Sequence, residues 1–298
     1  MSSSTTKATI LLLGGTGKIS SRIAPLLSEA NYSVLQASRS GKASPNIPNC
    51  TGVKFDWDDE KTYDSPFSSG SNKISAVFLV APPFIDALPP MKSFIERAKS
   101  HGVSRFVLLS ASILEVGDGP AMGEVAGYVK GLGTEWAVLR PSWFMEDFSE
   151  MQHVVSIRDN SQIITAAGDG KLPFVSADDI AAVAFHALTD EKAHNTDHLI
   201  LGPDLWTYGE VAGLLSKFLN RTVTHVSISE QELAGAMKGF GIESRYADML
   251  AELDTFVKEG REELIFEKGK GVVEDITGKK ARGLEEYVKD CIERKVWV

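Results

Sequence analysis

One stretch decides the fold: Ala8-Thr9-Ile10-Leu11-Leu12-Leu13-Gly14-Gly15-Thr16-Gly17-Lys18-Ile19-Ser20. It begins as a short apolar run, breaks into glycines and continues with the apolar spacing of a helix. A strand, a tight turn and a helix N-terminus in that order place backbone N–H groups and the positive end of the helix dipole against a pyrophosphate. The stretch therefore predicts a dinucleotide site, although its spacing differs from the usual G-x-G-x-x-G. The predicted contacts are Gly14, Gly15, Thr16, Gly17, Lys18, Ile19 and Ser20.

Apolar runs rich in β-branched residues recur between amphipathic segments. They are Thr9–Leu13, Ser33–Ser38, Ile74–Val80, Arg105–Ser110 and Thr134–Leu139. Strands that alternate with helices imply right-handed crossovers and a parallel sheet buried on both faces. We therefore predict an α/β fold, with a Rossmann-type doubly wound core over residues 1–150. Residues 151–298 are predicted to form the substrate-binding part, with strands that return to the core sheet and a smaller, mostly helical cap.

The composition of the chain indicates what kind of molecule it binds and where it is expected in the cell. The 298 residues carry a formal net charge of −9, which argues against a nucleic-acid surface and favours a small molecule. No stretch approaches the roughly 18 apolar residues of a membrane span, and the apolar run near the start is too short for a signal peptide, so a cytoplasmic location is expected. Cys50 and Cys291 stand far apart, so neither a disulfide framework nor a metal site is predicted.

The end of the second strand bears on the type of cofactor. It reads Gln36-Ala37-Ser38-Arg39-Ser40, at about the point where an NAD-binding protein offers an acidic side chain to the ribose. No acidic residue stands there. A guanidinium at Arg39 between Ser38 and Ser40 suits a 2′-phosphate, because arginine binds phosphate through a planar fork. NADP(H) is therefore expected, against the alternative of an ordinary surface arginine.

Further cofactor contacts are predicted where later strands end. Asp56 and Trp57 follow a short third strand and can meet the adenine ring. Ala81, Pro82 and Pro83 end the fourth strand, because two prolines cannot continue a β-ladder. Ser110, at the end of the next strand, is assigned to the same site.

Aromatic residues predict the substrate wall. Trp143, Phe144, Met145 and Phe148 follow the sixth strand, and Phe84, Trp206 and Tyr208 are further members. Such side chains would stack on an indole and attract a cationic nitrogen, although core packing explains them as well. The carboxylates considered for holding that cation are Asp118, Glu124, Glu146 and Asp147, each of which could equally be a solvated side chain.

Five segments together resemble the NmrA-like, atypical short-chain dehydrogenase family. They are Gly14–Lys18, Val77–Pro83, Phe106–Ser112, Leu139–Met145 and Asp275–Lys279. The resemblance covers nearly the whole chain and implies a Rossmann fold that binds NADP(H). Within that family the chain is most similar to the fungal ergot-alkaloid dehydrogenases of the festuclavine and agroclavine type. That likeness implies reduction of a C=N⁺ bond in an indole alkaloid.

One departure from the short-chain dehydrogenases concerns proton transfer. Their Tyr-x-x-x-Lys pair is missing, because no tyrosine of this chain is followed four residues later by lysine. An ungapped alignment puts the two positions on Asp118 and Met122, which leaves Asp118 as the candidate catalytic acid or base. Reduction of an iminium carbon needs no proton donor, since the hydride neutralises the cation.

Two other functions fit the same residues. The first is a redox-neutral cyclase or isomerase with Asp118 as acid or base. The second is a non-enzymatic redox sensor that binds NADP and reports it to a protein partner. The exact substrate, its stereochemistry and the oligomeric state are left open by the sequence.

Overall fold

The computed structural model describes residues 7–68 and 73–298. Residues 1–6, whose polar sequence also favours the expected cytoplasmic location, lie outside the described residues. The chain divides into two compact units. The first contains the described residues up to Arg140 together with Ile180–His198, and the second contains Pro141–Asp179 and Leu199–Val298. The predicted boundary at residue 150 lies inside the second unit.

The strands in chain order are β1 Lys7–Leu12, β2 Tyr32–Ser38, β3 Cys50–Lys54, β4 Ile74–Val80, β5 Arg105–Leu109, β6 Glu135–Pro141, β7 Gln162–Thr165, β8 Thr196–Ile200 and β9 Thr224–Ser227. The α-helices are α1 Ser20–Glu29, α2 Ser65–Ser68, α3 Leu88–Ser100, α4 Met122–Lys130, α5 Val154–Asn160, α6 Ala177–Thr189, α7 Tyr208–Leu219, α8 Glu230–Gly239, α9 Ser244–Lys258, α10 Arg261–Gly269, α11 Val272–Thr277 and α12 Leu284–Glu293. Short 3₁₀ turns cover Glu60–Thr62 and Met145–Phe148.

The main sheet has the strand order β3-β2-β1-β4-β5-β6-β8, and the pairs from β3 to β6 are parallel. The order reverses between β1 and β4, which makes that place the topological switch point of a doubly wound sheet. Residues Ile10 to Leu13 are each at most 1% exposed, so both faces of β1 are covered. The predicted doubly wound α/β fold is confirmed.

The core of the first unit packs sheet residues against α3 and α4. Val77, Leu79 and Phe106 from the sheet meet Phe94 of α3 and Val125 of α4, and all of them are fully buried. The sequence predicts a helix from Leu88 to Ser100, and α3 has these bounds. Helix α4 was not predicted, because its short sequence contains two glycines and offers little amphipathic signal.

The second unit has a core of its own, built around β7, β9 and α7. Phe174, Tyr208, Leu215 and Tyr287 are buried in it, and β7 pairs with β9 in parallel. The sequence predicts a helix over Tyr208–Leu219, and α7 has these bounds. It starts with a capping box, in which Thr207 and Glu210 satisfy each other's backbone N–H groups. Within residues 7–68 and 73–298, no helix has the length and apolar composition needed to cross a membrane.

Candidate functional site

The glycine-rich turn follows β1 and folds back tightly on itself. Gly14 adopts a left-handed conformation with φ of 57°, and the Gly17 N–H donates to the Gly14 carbonyl at 2.7 Å. A Cβ on Gly15 would lie 2.7 Å from the Cβ of Gln36 and 2.9 Å from the Ala37 nitrogen. The turn therefore needs glycine at position 14 for its backbone angle and at position 15 for close approach to β2.

Helix α1 begins directly after this turn. The Ser20 hydroxyl donates to the Leu13 carbonyl at 2.7 Å, and the side chains of Ile19 and Ser20 are 4% and 1% exposed. These two predicted cofactor contacts therefore have side chains that pack the turn and lie outside the pocket wall described below. The Thr16 N–H makes no hydrogen bond within the described part of the chain. It is a donor at a helix N-terminus, where the helix dipole favours an anion.

A pocket of about 380 Å³ lies beside this turn. The ends of β1, β2, β3 and β4 all contribute to it, as expected for the carboxyl edge of a parallel sheet at its switch point. Its wall is formed by Gly14, Thr16, Gly17, Ala37, Ser38, Arg39, Phe55, Asp56, Trp57, Asp58, Val80, Ala81, Pro82, Pro83 and Phe84. The predicted cofactor residues missing from that wall are Gly15, Lys18, Ile19, Ser20, Ser40 and Ser110. The volume lies in the range of ordinary small-molecule sites.

The pocket wall includes a charged side chain, Arg39, and an aromatic ring, Trp57. Arg39 is exposed and follows Ser38, whose hydroxyl donates to the Lys42 carbonyl at 3.1 Å. The Trp57 indole N–H donates to the Val80 carbonyl at 3.2 Å, and its ring packs edge-on against Phe55 at 4.9 Å. The indole is thus held at the wall independently of any ligand.

Ser110 follows β5 at the same edge of the sheet. Its N–H donates to the Leu139 carbonyl at 2.7 Å, whereas its buried hydroxyl has no hydrogen-bond partner among the described residues. Leaving a buried hydroxyl unpaired costs about 1–3 kcal/mol. The hydroxyl is therefore suited to a ligand atom at this edge.

The loop after β5 is held by an arginine that the sequence analysis did not single out. Arg140 is 3% exposed and donates to Glu115, Asp197 and the Ser112 carbonyl at distances between 2.7 and 3.0 Å. An isolated Arg-Pro pair in a sequence does not reveal which distant carboxylates will meet it. Arg140 thus joins β6, β8 and the segment after Ser110.

Asp118, the candidate acid or base, is exposed in the loop before α4. Its N–H donates to the Glu115 carbonyl at 3.2 Å, and its own carbonyl packs closely on Gly123 of α4. The residue does not belong to the pocket wall.

The predicted substrate residues fall into two groups. Met145, Phe148 and Tyr208 are at most 1% exposed and lie in the core of the second unit, so the packing interpretation holds for them. Trp143, Phe144 and Trp206 are partly exposed, and Phe84 lies in the pocket wall of the first unit. Glu146 is also buried, and its carboxylate accepts from the Ala177 N–H at 2.9 Å, where it caps α6.

Five tyrosines of this chain have a raised pKa, which makes their phenols poorer proton donors near neutral pH. Burial raises the pKa of Tyr63 and of Tyr128 to about 12. Burial likewise raises the pKa of Tyr208, Tyr246 and Tyr287. A phenol that exchanges protons near neutral pH needs the opposite shift.

The doubly wound sheet and the glycine-rich turn after β1 together define a Rossmann-fold protein. The chain matches the NmrA-like family over residues 6–288 and belongs to that family. It is 44% identical over 297 residues to festuclavine synthase II from Penicillium roqueforti, which covers 97% of this chain and 99% of that protein. It is 43% identical over 295 residues to agroclavine dehydrogenase from Claviceps fusiformis, with 97% and 99% covered.

A solved structure has the same fold. It is an NADPH-dependent quinone oxidoreductase from Escherichia coli in complex with NADPH, with a TM-score of 0.74 and 21% sequence identity. The match covers 95% of this chain and 99% of that one.

Proposed function

We propose that this protein is an NADPH-dependent oxidoreductase that reduces a C=N⁺ bond in an indole alkaloid of the ergot type or a related secondary metabolite. The observation that carries the proposal is the full-length similarity, at 44% and 43% identity, to a festuclavine synthase and an agroclavine dehydrogenase. The names of those relatives place them in alkaloid metabolism. Function in a Rossmann fold must nevertheless be argued from the site.

The residues of the first unit fit a dinucleotide. The Thr16 N–H and the N-terminus of α1 would hold the pyrophosphate, and Trp57 would line the adenine. Arg39 would bind a 2′-phosphate, because the end of β2 offers a guanidinium where NAD-binding proteins have a carboxylate. Bound NADPH would supply a hydride.

The proposed acceptor follows from the proton chemistry of the chain. A ketone would become an alkoxide that requires a proton, yet no Tyr-x-x-x-Lys pair is present and burial raises the pKa of five tyrosines. An iminium ion that accepts a hydride at carbon becomes a neutral amine without a proton donor. The residues then need only to bind and orient the substrate, which alone accelerates a reaction substantially.

The partly exposed aromatic side chains are the proposed substrate contacts. In the second unit, Trp143, Phe144 and Trp206 can stack on an indole or face a cationic nitrogen. Phe84 is proposed separately, as an aromatic contact in the pocket wall of the first unit. Asp118 is not part of this proposal.

The test mixes purified protein with NADPH and a panel of indole-derived iminium ions, and follows the absorbance of the reduced cofactor. Cofactor consumption that requires both protein and iminium ion is the expected result. Product formation without NADPH consumption would support a redox-neutral cyclase instead. Tight NADPH binding without turnover of any member of the panel would support a redox sensor.

A further inference from the structure

We propose that Gln36 is a positioning residue that couples the glycine-rich turn to the β2–β3 loop, and that the preference for NADPH over NADH depends on this coupling. Gln36 does not line the pocket, so its effect would pass through the backbone segments that it joins. The inference rests on the proposed NADPH site.

The Gln36 side chain bridges two segments that are distant in sequence. It lies on β2 and is fully buried. Its Nε2 donates to the Gly15 carbonyl at 2.6 Å, and its Oε1 accepts from the Ser44 N–H at 2.6 Å. The Cys50 thiol makes a longer contact to the same oxygen at 3.4 Å. A carbonyl on one side and an N–H on the other fix the orientation of the amide, because only one orientation pairs both groups.

Each segment also has hydrogen bonds that do not involve Gln36. The Gly15 N–H donates to the Ala37 carbonyl at 2.8 Å, which holds the turn on β2. The Ser28 hydroxyl donates to the Pro48 carbonyl at 2.5 Å, which holds the far end of the β2–β3 loop on α1. Replacing the Gln36 amide would therefore loosen the connection between turn and loop without removing either from the fold.

The link through Gln36 affects the choice between NADPH and NADH because the glycine-rich turn and the β2–β3 loop would bind different parts of the dinucleotide. The turn would bind the pyrophosphate, which NADH and NADPH share. Arg39, at the start of the loop, would bind the 2′-phosphate, which only NADPH carries. The turn and Arg39 line the same pocket, so their separation decides whether one ligand can engage both.

The experiment compares Gln36→Met with Ser28→Ala. Methionine keeps the length of the side chain but leaves the Gly15 carbonyl and the Ser44 N–H without a partner. Ser28→Ala removes a buried hydrogen bond to the same loop that does not involve the turn. Calorimetric titration with NADPH and NADH gives the dissociation constants, and thermal unfolding gives the midpoint temperature.

We expect Gln36→Met to raise Kd for NADPH about tenfold, the loss of roughly one buried hydrogen bond, with at most about a threefold rise for NADH. Ser28→Ala should lower the unfolding temperature and leave the ratio of the two constants unchanged. If Gln36→Met kept the wild-type ratio of the dissociation constants for NADH and NADPH, the proposed coupling would be wrong, even if the unfolding temperature fell.

Hydrogen exchange of the wild-type protein tests the same idea without any variant. The Ser44 amide should exchange slowly in the free protein and at least about tenfold more slowly with NADPH bound. Unprotected exchange of Ser44, or exchange that NADPH does not alter, would contradict the coupling.

Different results would refute the proposed NADPH preference and the proposed coupling through Gln36. A wild-type protein that binds NADH as tightly as NADPH would defeat the proposed NADPH preference. A strong wild-type preference that survives in Gln36→Met would defeat the coupling alone.

Discussion

Arg39 is the residue on which the proposed cofactor preference depends. It is exposed, it lines the pocket, and no carboxylate stands at the end of β2. Arg39→Ala should raise KM for NADPH about 10- to 100-fold, because it removes charge-assisted hydrogen bonds to a phosphate, and should leave KM for NADH unchanged. Steady-state kinetics with both cofactors measures this.

The controls for Arg39 separate charge from geometry. Arg39→Lys keeps the charge but loses the planar fork, so an intermediate KM for NADPH is expected. Lys130→Ala removes an exposed cation at the end of α4, away from the pocket wall, and should change neither constant. Equal effects of Arg39→Ala and Lys130→Ala would contradict the assignment.

Gly15 shows how one missing Cβ shapes the turn. Gly15→Ala would place a carbon 2.7 Å from the Gln36 Cβ and 2.9 Å from a backbone nitrogen that cannot move freely. We expect a loss of about 1–3 kcal/mol in the free energy of unfolding and weaker binding of both dinucleotides. Urea unfolding and calorimetric titration provide the measurements.

Gly235→Ala is the matched control for that substitution. Gly235 lies in α8 with open space around its Cα, so alanine should stabilise the helix by up to about 1 kcal/mol. If Gly15→Ala were as harmless as Gly235→Ala, the close approach of the turn to β2 would be refuted.

At the scale of elements, Arg140 joins β6, β8 and the loop that follows β5. Arg140→Met should lower the free energy of unfolding by about 1–3 kcal/mol, since it removes the arginine's hydrogen bond to the Ser112 carbonyl. The Glu115 side chain is 62% exposed, so water can solvate its carboxylate in the variant. Chemical denaturation monitored by fluorescence measures the loss.

Arg97→Ala compares the buried Arg140 with an arginine whose side chain is 33% exposed. Arg97 pairs with Glu60 and Asp64 on the surface, where an ion pair contributes at most about 1 kcal/mol. A loss for Arg140→Met no larger than that for Arg97→Ala would show that the buried Arg140 guanidinium does not hold these elements together.

Element boundaries were predictable where the local pattern is strong. Helices α3 and α7 and strand β4 have their predicted bounds, because apolar spacing and caps are encoded within each segment. Helices α10, α11 and α12 were not predicted. The sequences of α10 and α11 are rich in charge, which obscures their apolar spacing. Helix α12 does carry apolar residues at helical spacing, Leu284, Tyr287, Val288 and Cys291, so its local signal was missed.

At the scale of the whole molecule, stability should depend on pH through buried groups of the second unit. Burial and the nearby His225 lower the pKa of His153 to about 4. The unfolded chain binds that proton near pH 6.5, so acid favours unfolding between pH 6.5 and 4. Burial raises the pKa of Asp254 to about 6, so on acidification the folded protein binds this proton at a higher pH than the unfolded chain does. Below pH 6, protonation of Asp254 therefore stabilises the fold and offsets part of the stability lost through His153.

His153→Phe tests this dependence. The ring packs against Phe148 at 5.6 Å between centroids, so phenylalanine preserves the packing and removes the titrating group. The stability lost on acidification from pH 6.5 to 4 should be smaller in the variant by about 3 kcal/mol. Urea unfolding at several pH values between 6.5 and 4 measures this difference. If the free energy of unfolding fell equally with pH in wild type and His153→Phe, the prediction would be wrong.

The sequence by itself determined the glycine-rich turn, the parallel doubly wound sheet and Arg39 at the end of β2. These features depend on backbone angles, close approach and periodicity, which are properties of short segments. Tertiary structure alone decided that Met145, Phe148 and Tyr208 are buried in a core and that Ser20 ties α1 to β1. It also decided that Arg140 meets two distant carboxylates and that Gln36 bridges Gly15 and Ser44. Burial and pairing depend on which remote segments meet, and residue spacing along the chain carries no information about those partners.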